Sequence, residues 1–179
     1  MTNESSTTAS PPPAPQYPGV SALIHKSLPA AEFVASNTSN DVDLRVRPEN
    51  FLALVEGLNS RPDLAFDYLR NIAGVDMEAL GLEVKYHFYS FAHNNHVQIT
   101  VPTPPGDPHV PTLTHLFAGA DWHEREAAEM FGLVFDGHPN LKNLLLEEDL
   151  RIHPLLKAHP LQKGEIFQGI EDTSPGFKF

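Results

Sequence analysis

The chain has 179 residues, 41% of them hydrophobic, which is enough for one folded domain with a real core. Its 12 basic and 23 acidic residues give a formal charge of -11 with no concentrated basic patch, which argues against binding to nucleic acid or an anionic membrane surface. Cysteine is absent, so this chain supplies no disulfide and no thiolate for an iron–sulfur or zinc centre.

The N-terminal stretch MTNESSTTASPPPAPQYP lacks both the basic and the apolar regions of a secretory signal. Residues 1–19 are Ser/Thr/Pro-rich, and too few apolar groups are present to offset the entropy of ordering, so a disordered tail is expected. No window reaches the roughly 18 to 20 apolar residues of a membrane-spanning helix, so membrane association is expected only through partners.

Asp43–Arg47 alternates as a short strand, and Pro48 suits the first turn of a helix. Phe51, Leu52, Leu54, Val55 and Leu58 recur at helical spacing, predicting an amphipathic helix from Pro48 to Asn59. Leu64–Leu69 fits either a strand or a helix. Leu82–Phe91 and His96–Val101 are rich in β-branched and aromatic residues around the turn-forming His93-Asn94-Asn95, which predicts an antiparallel hairpin.

Pro102–Pro111 reads as a proline-rich loop unable to donate a continuous ladder, followed by a short helix near Thr112–Phe117. Asp121 is placed as an N-cap with Glu124 completing a capping box, so Trp122–Phe131 is expected to be helical and stopped by Gly132. Beyond Leu133 the chain reads as short pieces broken by Gly and Pro, ending in an extended segment from Gly164 to Phe179. The pattern predicts a single α+β domain with a small mixed, partly antiparallel sheet packed by helices. The expected division is a tail (1–19), a domain (20–163) and a partner-binding C-terminal segment (164–179).

The stretch from Asp121 to Glu129 holds four acids and one arginine in nine residues. Glu126 and Glu129 lie three apart and share a helix face, as a general acid/base pair would, while Arg125 at four-residue spacing is placed to reach Asp121 and Glu129. Surface or interface ion pairing explains the same spacing. Ten histidines raise a metal reading, with His138, His153 and His159 near carboxylates and His87, His93 and His96 around the hairpin. No paired-ligand motif accompanies them. A serine nucleophile elbow, a phosphate-binding loop and a dinucleotide fingerprint are also missing.

Glu124-Arg125-Glu126, Glu129, Met130-Phe131, then His138, Lys142 and Leu144-Leu145 closely resemble the signature of the thirty-kilodalton subunit family of respiratory complex I, NADH:quinone oxidoreductase. The order of Phe66-Asp67-Tyr68-Leu69, Gly74-Val75-Asp76, the hairpin, Pro111-Thr112 and Gly119-Ala120-Asp121-Trp122 is similar to the family as well, over residues 20–163. The family pattern usually has Asp where Glu129 stands and a basic residue where Asn143 stands; Leu156 and Ala158 take the places of an Arg and an Asp.

The resemblance implies a non-catalytic structural subunit of the peripheral arm, on the cytoplasmic side of the cell membrane, supporting electron transfer to quinone coupled to ion translocation. It implies no cofactor in this chain, with iron–sulfur clusters, quinone, and FMN or NAD elsewhere in the complex. The implied partners are a large quinone-site or hydrogenase-like subunit and a cluster-bearing small subunit. Equivalent subunits of membrane-bound nickel–iron hydrogenases and of F420- or ferredoxin-linked complexes share the resemblance, and a reading of another class is an independent His/carboxylate metalloenzyme. The residues expected at the partner interface, or in a polar network just behind it, are Glu124, Arg125, Glu126, Glu129, Phe131, Gly137, His138, Pro139, Lys142, His153, Pro154 and Lys157.

Overall fold

A computed structural model describes residues 18–37, 42–147, 150 and 152–158. In chain order the elements are α1 (Pro18–Ser27), β1 (Val34–Asn37), β2 (Val42–Arg45), α2 (Pro48–Ser60), β3 (Tyr68–Asp76), β4 (Leu82–Ser90), β5 (Asn95–Thr103), β6 (His109–Pro111), α3 (Ala120–Phe131) and β7 (Val134–Asp136). A single 3-10 turn, Glu78–Leu80, joins β3 to β4. The main sheet runs β1-β2-β5-β4-β3, and β6 pairs with β7 in a separate two-stranded sheet. Within the main sheet only β2 and β5 are parallel, so the fold is α+β with a mixed sheet.

Alternation along the strands sets the core. Val84, Tyr86 and Phe88 of β4, Val97, Ile99 and Val101 of β5, and Val42 and Leu44 of β2 are all buried, as period-two geometry requires of one face. The apolar stripe of α2, Phe51, Leu54, Val55 and Leu58, is buried in the same cluster, and the Phe51 and Tyr86 rings sit 4.4 Å apart. Each fully buried aliphatic or aromatic side chain contributes roughly 1.5 to 3 kcal/mol. Pro48 starts α2 because its missing N–H falls among donors that no helix can use internally.

The opposite face of the sheet is polar. Asp43 accepts from the Thr100 hydroxyl at 2.7 Å and the Gln98 amide at 3.1 Å, while Arg45 pairs with Glu83 at 2.7 Å. Alternation between these two faces explains why the predicted hairpin appears in register, with Tyr86 opposite Ile99 and Ser90 opposite Asn95.

Several expectations change. Pro18 and Gly19 open α1, so the predicted tail overreaches by these two residues, and the remainder of 1–19 lies outside the described residues. Pro102–Pro111 is only partly a loop, since β5 continues to Thr103 and β6 begins at His109. Strand β2 pairs with β5 only along Val97–Thr100, so Pro102 lies where one flank of β5 is no longer paired and its missing donor is tolerated. Of the ambiguous Leu64–Leu69 stretch, Leu64 and Phe66 are buried in a loop and β3 begins at Tyr68. Thr112–Phe117 is a turn closed by Leu116 and Phe117 amides on the Leu113 carbonyl, not a helix. The segment 164–179 lies outside the described residues.

Candidate functional site: a helix that clamps its own chain

Helix α3 carries the charged motif. It begins at Ala120 behind Gly119, with no side-chain cap, so the expected capping box from Asp121 to Glu124 does not form. Burial explains the difference. Glu124 points inward, fully buried, and accepts from the Thr112 hydroxyl at 2.5 Å and from the Leu113 amide at 2.7 Å. The acid therefore pins the 112–117 turn to the helix instead of capping its start. Burial pushes its pKa up to about 7, against the pull of the Thr112 and Leu113 bonds and with the help of the Asp121 charge.

Arg125 does not reach Asp121 or Glu129. Its Nε donates to the Lys142 carbonyl at 2.9 Å and its Nη2 to the Asn143 carbonyl at 3.0 Å. Glu129, one turn later and also buried, accepts from the Leu144 amide at 2.9 Å, the Leu145 amide at 3.0 Å and the Leu146 amide at 3.2 Å. Glu126 and Glu129 accordingly form no pair, because Glu129 is buried under residues 144–146 while Glu126 is exposed. A planar donor fork suits two successive carbonyls, and an acceptor with several lone pairs suits successive amides.

The helix stops at Gly132, whose φ of 75° places it in the left-handed region and directs its amide to the Ala128 carbonyl. Two further groups satisfy the exposed carbonyls of the last turn. The His153 ring donates from Nδ1 to the Glu129 carbonyl at 2.9 Å, and the Leu155 amide donates to the Met130 carbonyl at 3.1 Å. Farther along, the Lys157 amide donates to Asp76 and its Nζ to Glu78, both at 2.8 Å. Residues 141–147 and 152–158 thus form a strap fastened to α3 and to the end of β3, with Pro154 at the turn after His153.

The remaining motif residues serve the same junction. Phe131 packs on Gly74 of β3, so closely that a Cβ there would lie 2.4 Å from a ring carbon. Gly137 has a φ of 84°, turning the chain before His138 and the exposed Pro139. The His138 side chain is wholly buried; its Nδ1 accepts from the Asn140 amide at 3.0 Å, and its Nε2 lies 3.1 Å from Asp121 Oδ1. A backbone amide only donates, so the proton of this ring sits on Nε2. Lys142 contributes its carbonyl rather than its ammonium to the clamp.

The structure thus brings Arg125, Glu129, Lys142 and His153 to one cleft of about 270 Å³ between α3 and the strap, while Glu124 and His138, 4.0 Å apart, lie outside its lining. Four contributors lie outside the residues that the motif singles out: Thr112, Asn143, Asp76 and Glu78. Asp76 accepts the Glu78 amide at 2.7 Å, and Glu78 has a φ of 58°, so an Asx-type turn is the available signal for that anchor. Among the described residues no group of three or more His, Cys, Asp or Glu side chains could hold a metal ion, and no helix is long and apolar enough to cross a membrane.

The fold and this motif define an α+β scaffold domain whose charged residues hold its own backbone. A sequence model of the family described as "Respiratory-chain NADH dehydrogenase, 30 Kd subunit" matches residues 44–165. The chain is 40% identical over 153 residues to the C subunit of NADH-quinone oxidoreductase from Roseiflexus castenholzii, covering 83% of this chain and 87% of that one. It is 41% identical over 132 residues to the corresponding C subunit from Herpetosiphon aurantiacus, covering 72% and 76%. The chain belongs to the thirty-kilodalton NADH dehydrogenase subunit family.

The same fold occurs in a trypsin-resistant fragment of Nqo5, at a TM-score of 0.60 and 23% identity over 68% of this chain and 99% of that one. It occurs also in the membrane-bound sulfane sulfur reductase, an archaeal respiratory membrane complex, at a TM-score of 0.66 and 18% identity over 89% of this chain and 94% of that chain.

Proposed function

We propose that the chain acts as the thirty-kilodalton subunit of an NADH-quinone oxidoreductase, a structural subunit without a reactive centre of its own that supports electron transfer from NADH to quinone. Family membership and the relatives from Roseiflexus and Herpetosiphon support this reading. The flavin, iron–sulfur clusters and quinone belong to other subunits, and the chain reaches the membrane through them. Its neighbours in this reading are the large quinone-site subunit and the cluster-bearing small subunit, on the cytoplasmic side.

The observation that carries the scaffold role is how the motif is used. Arg125, Glu129 and His153 are committed to backbone atoms of the strap and of α3's last turn, and the strap then turns Leu145, Ile152 and Leu155 outward at 65%, 52% and 48% exposure. Exposed Leu and Ile on a rigidly held surface segment are what a partner protein would cover. The expected interface is therefore the strap's outer side together with Lys142 and Lys157, while Glu129 holds the strap from the helix side and Glu124 with His138 forms a separate buried cluster. The apolar Ile166, Phe167, Ile170, Phe177 and Phe179 extend the same proposal to the segment 164–179.

Purification of the tagged chain from membranes in mild detergent tests this reading. Co-purification of flavin, iron–sulfur clusters and NADH-quinone activity is expected, with no NADH binding by the chain alone in calorimetry. Recovery with a nickel–iron centre would assign it to a hydrogenase complex. Saturable NADH binding or a bound metal in the isolated chain would overturn the scaffold role.

A further inference from the structure

Glu124 sits at the centre of a buried cluster that the strap clamp does not use. Its carboxylate has a hydroxyl donor, Thr112, on one oxygen and an amide donor, Leu113, on the other, and neither carries charge. The nearest candidate cation is His138, whose Nε2 lies 4.0 Å from Glu124 Oε2 with both side chains wholly buried. That Nε2 is directed to Asp121, at 3.1 Å from the carboxylate and 3.3 Å from the carbonyl, while Asn140 occupies Nδ1. The ring bears one proton, so it brings no full charge to Glu124.

From α3 the acid is faced by the Asp121 carboxylate, from the 137–140 loop by His138, and from β4 by the Tyr86 hydroxyl, which lies within its field. The 112–114 turn presents only hydroxyls and an amide. Tyr86 is fully buried, and among the described residues its hydroxyl is the buried side-chain atom without a hydrogen-bond partner. Burial first and the Glu124 charge second push its pKa well above the usual value. Nothing in this shell is a fixed cation, so an ionised Glu124 is held by dipoles alone.

We propose that Glu124 is an internal proton-binding site, with Thr112 and Thr114 as a reversible hydroxyl pair that keeps every bond made in both charge states. When Glu124 is ionised, the Thr112 hydroxyl donates to it and the Thr114 hydroxyl and amide donate to Thr112 Oγ1, over 3.0 and 3.2 Å. When Glu124 takes a proton from hydronium, which becomes water, the carboxyl O–H donates to Thr112 Oγ1 and the Thr112 hydroxyl turns to donate to Thr114. Threonine hydroxyls both donate and accept, so the reversal needs no movement of heavy atoms. The upward shift to about 7 places the change in the neutral range.

A carboxyl whose folded value is raised favours the folded state fully below its ordinary value of 4.5, and that advantage is lost as pH rises through about 7. The direct test is a pH titration of the full chain labelled with 13Cδ-glutamate, from about pH 5.5 to about pH 8.5. One glutamate carboxyl is expected to titrate with a midpoint near 7 and to disappear in Glu124→Gln. Thermal unfolding over the same range should show a Tm that falls as pH rises, less steeply in Glu124→Gln. A full chain in which every glutamate carboxyl is already ionised at the acidic end overturns the proposal, and the labelled wild type decides this even if the variant does not fold. A titrating signal that persists in a folded Glu124→Gln overturns it equally.

Discussion

Arg125 and Glu129 stand one turn apart on α3, the spacing of a helical ion pair, yet each holds a different part of the strap. Arg125 takes the carbonyls of Lys142 and Asn143, and Glu129 takes the amides of Leu144, Leu145 and Leu146. Carbonyls and then amides of five successive residues are read by a donor and then an acceptor. The register of strap against helix is fixed by this order, and a swap of the two charges would reverse every contact.

Removal of the donor should release the strap without unfolding the domain. In Arg125→Ala the Lys142 and Asn143 carbonyls return to solvent, so the amides of Leu144–Leu146 are expected to exchange hydrogen at least about tenfold faster while the sheet keeps its protection. Hydrogen exchange read by mass spectrometry or NMR checks this. Equal exchange in both proteins would mean that Glu129 alone holds the segment.

Loss of the acceptor should cost more. Glu129→Ala leaves the amides of Leu144, Leu145 and Leu146 without their acceptor beside the helix. An unsatisfied buried polar group costs about 1 to 3 kcal/mol, so a loss in that range is expected in chemical denaturation. Glu129→Gln, which retains one acceptor oxygen, should recover part of it.

The junction of α3 with β3 depends on a missing side chain. A Cβ at Gly74 would lie 2.4, 2.8 and 2.9 Å from three ring carbons of Phe131. Gly74→Ala should therefore lower stability by about 1 to 3 kcal/mol, the usual cost of an overpacked contact. Gly74→Ala combined with Phe131→Leu should recover part of that loss, which a denaturation cycle of single and double variants measures.

Asp76 anchors the far end of the strap. The Lys157 amide, then the Glu78 amide, hold its carboxyl below the ordinary value of 3.8. Its contribution is present above that value and is lost as pH falls through the lower folded one. The Lys157 and Glu78 amide resonances should shift together with an acid midpoint below 3.8. A midpoint at or above it would place the strap end away from Asp76.

The α2 stripe and the hairpin were legible in the sequence because hydrophobic period is a local property and their flanking signals agreed with it. The stop at Gly132 was legible for the same reason, since a left-handed cap favours glycine. Helix α1, strands β1 and β3 and the β6–β7 pair were not. Strands β1, β6 and β7 span only three or four residues, and β6 and β7 form only because α3 returns Val134–Asp136 beside His109–Pro111. The site was half legible: the motif identified Glu124, Arg125, Glu129, His138 and His153 as special. Spacing assigned Arg125 to acids on its own helix, whereas the observed partners are backbone atoms 17 and 18 residues away. Glu124 likewise carries the spacing of a capping box, and only burial shows that it faces Thr112 and Leu113 instead.

In the proposed role, α3 holds the strap so that its outer side docks on a neighbouring subunit. Leu145→Asp with Leu155→Asp tests this docking, because the Leu145 side chain is mostly exposed and that of Leu155 about half exposed, at 65% and 48%. The isolated double variant should melt within a few degrees of wild type, as surface substitutions do, while its incorporation into the membrane complex, measured by quantitative pull-down, falls at least about tenfold, or about 1.4 kcal/mol. Normal incorporation of a folded double variant would contradict this docking role and leave the strap as a device for the domain's own stability.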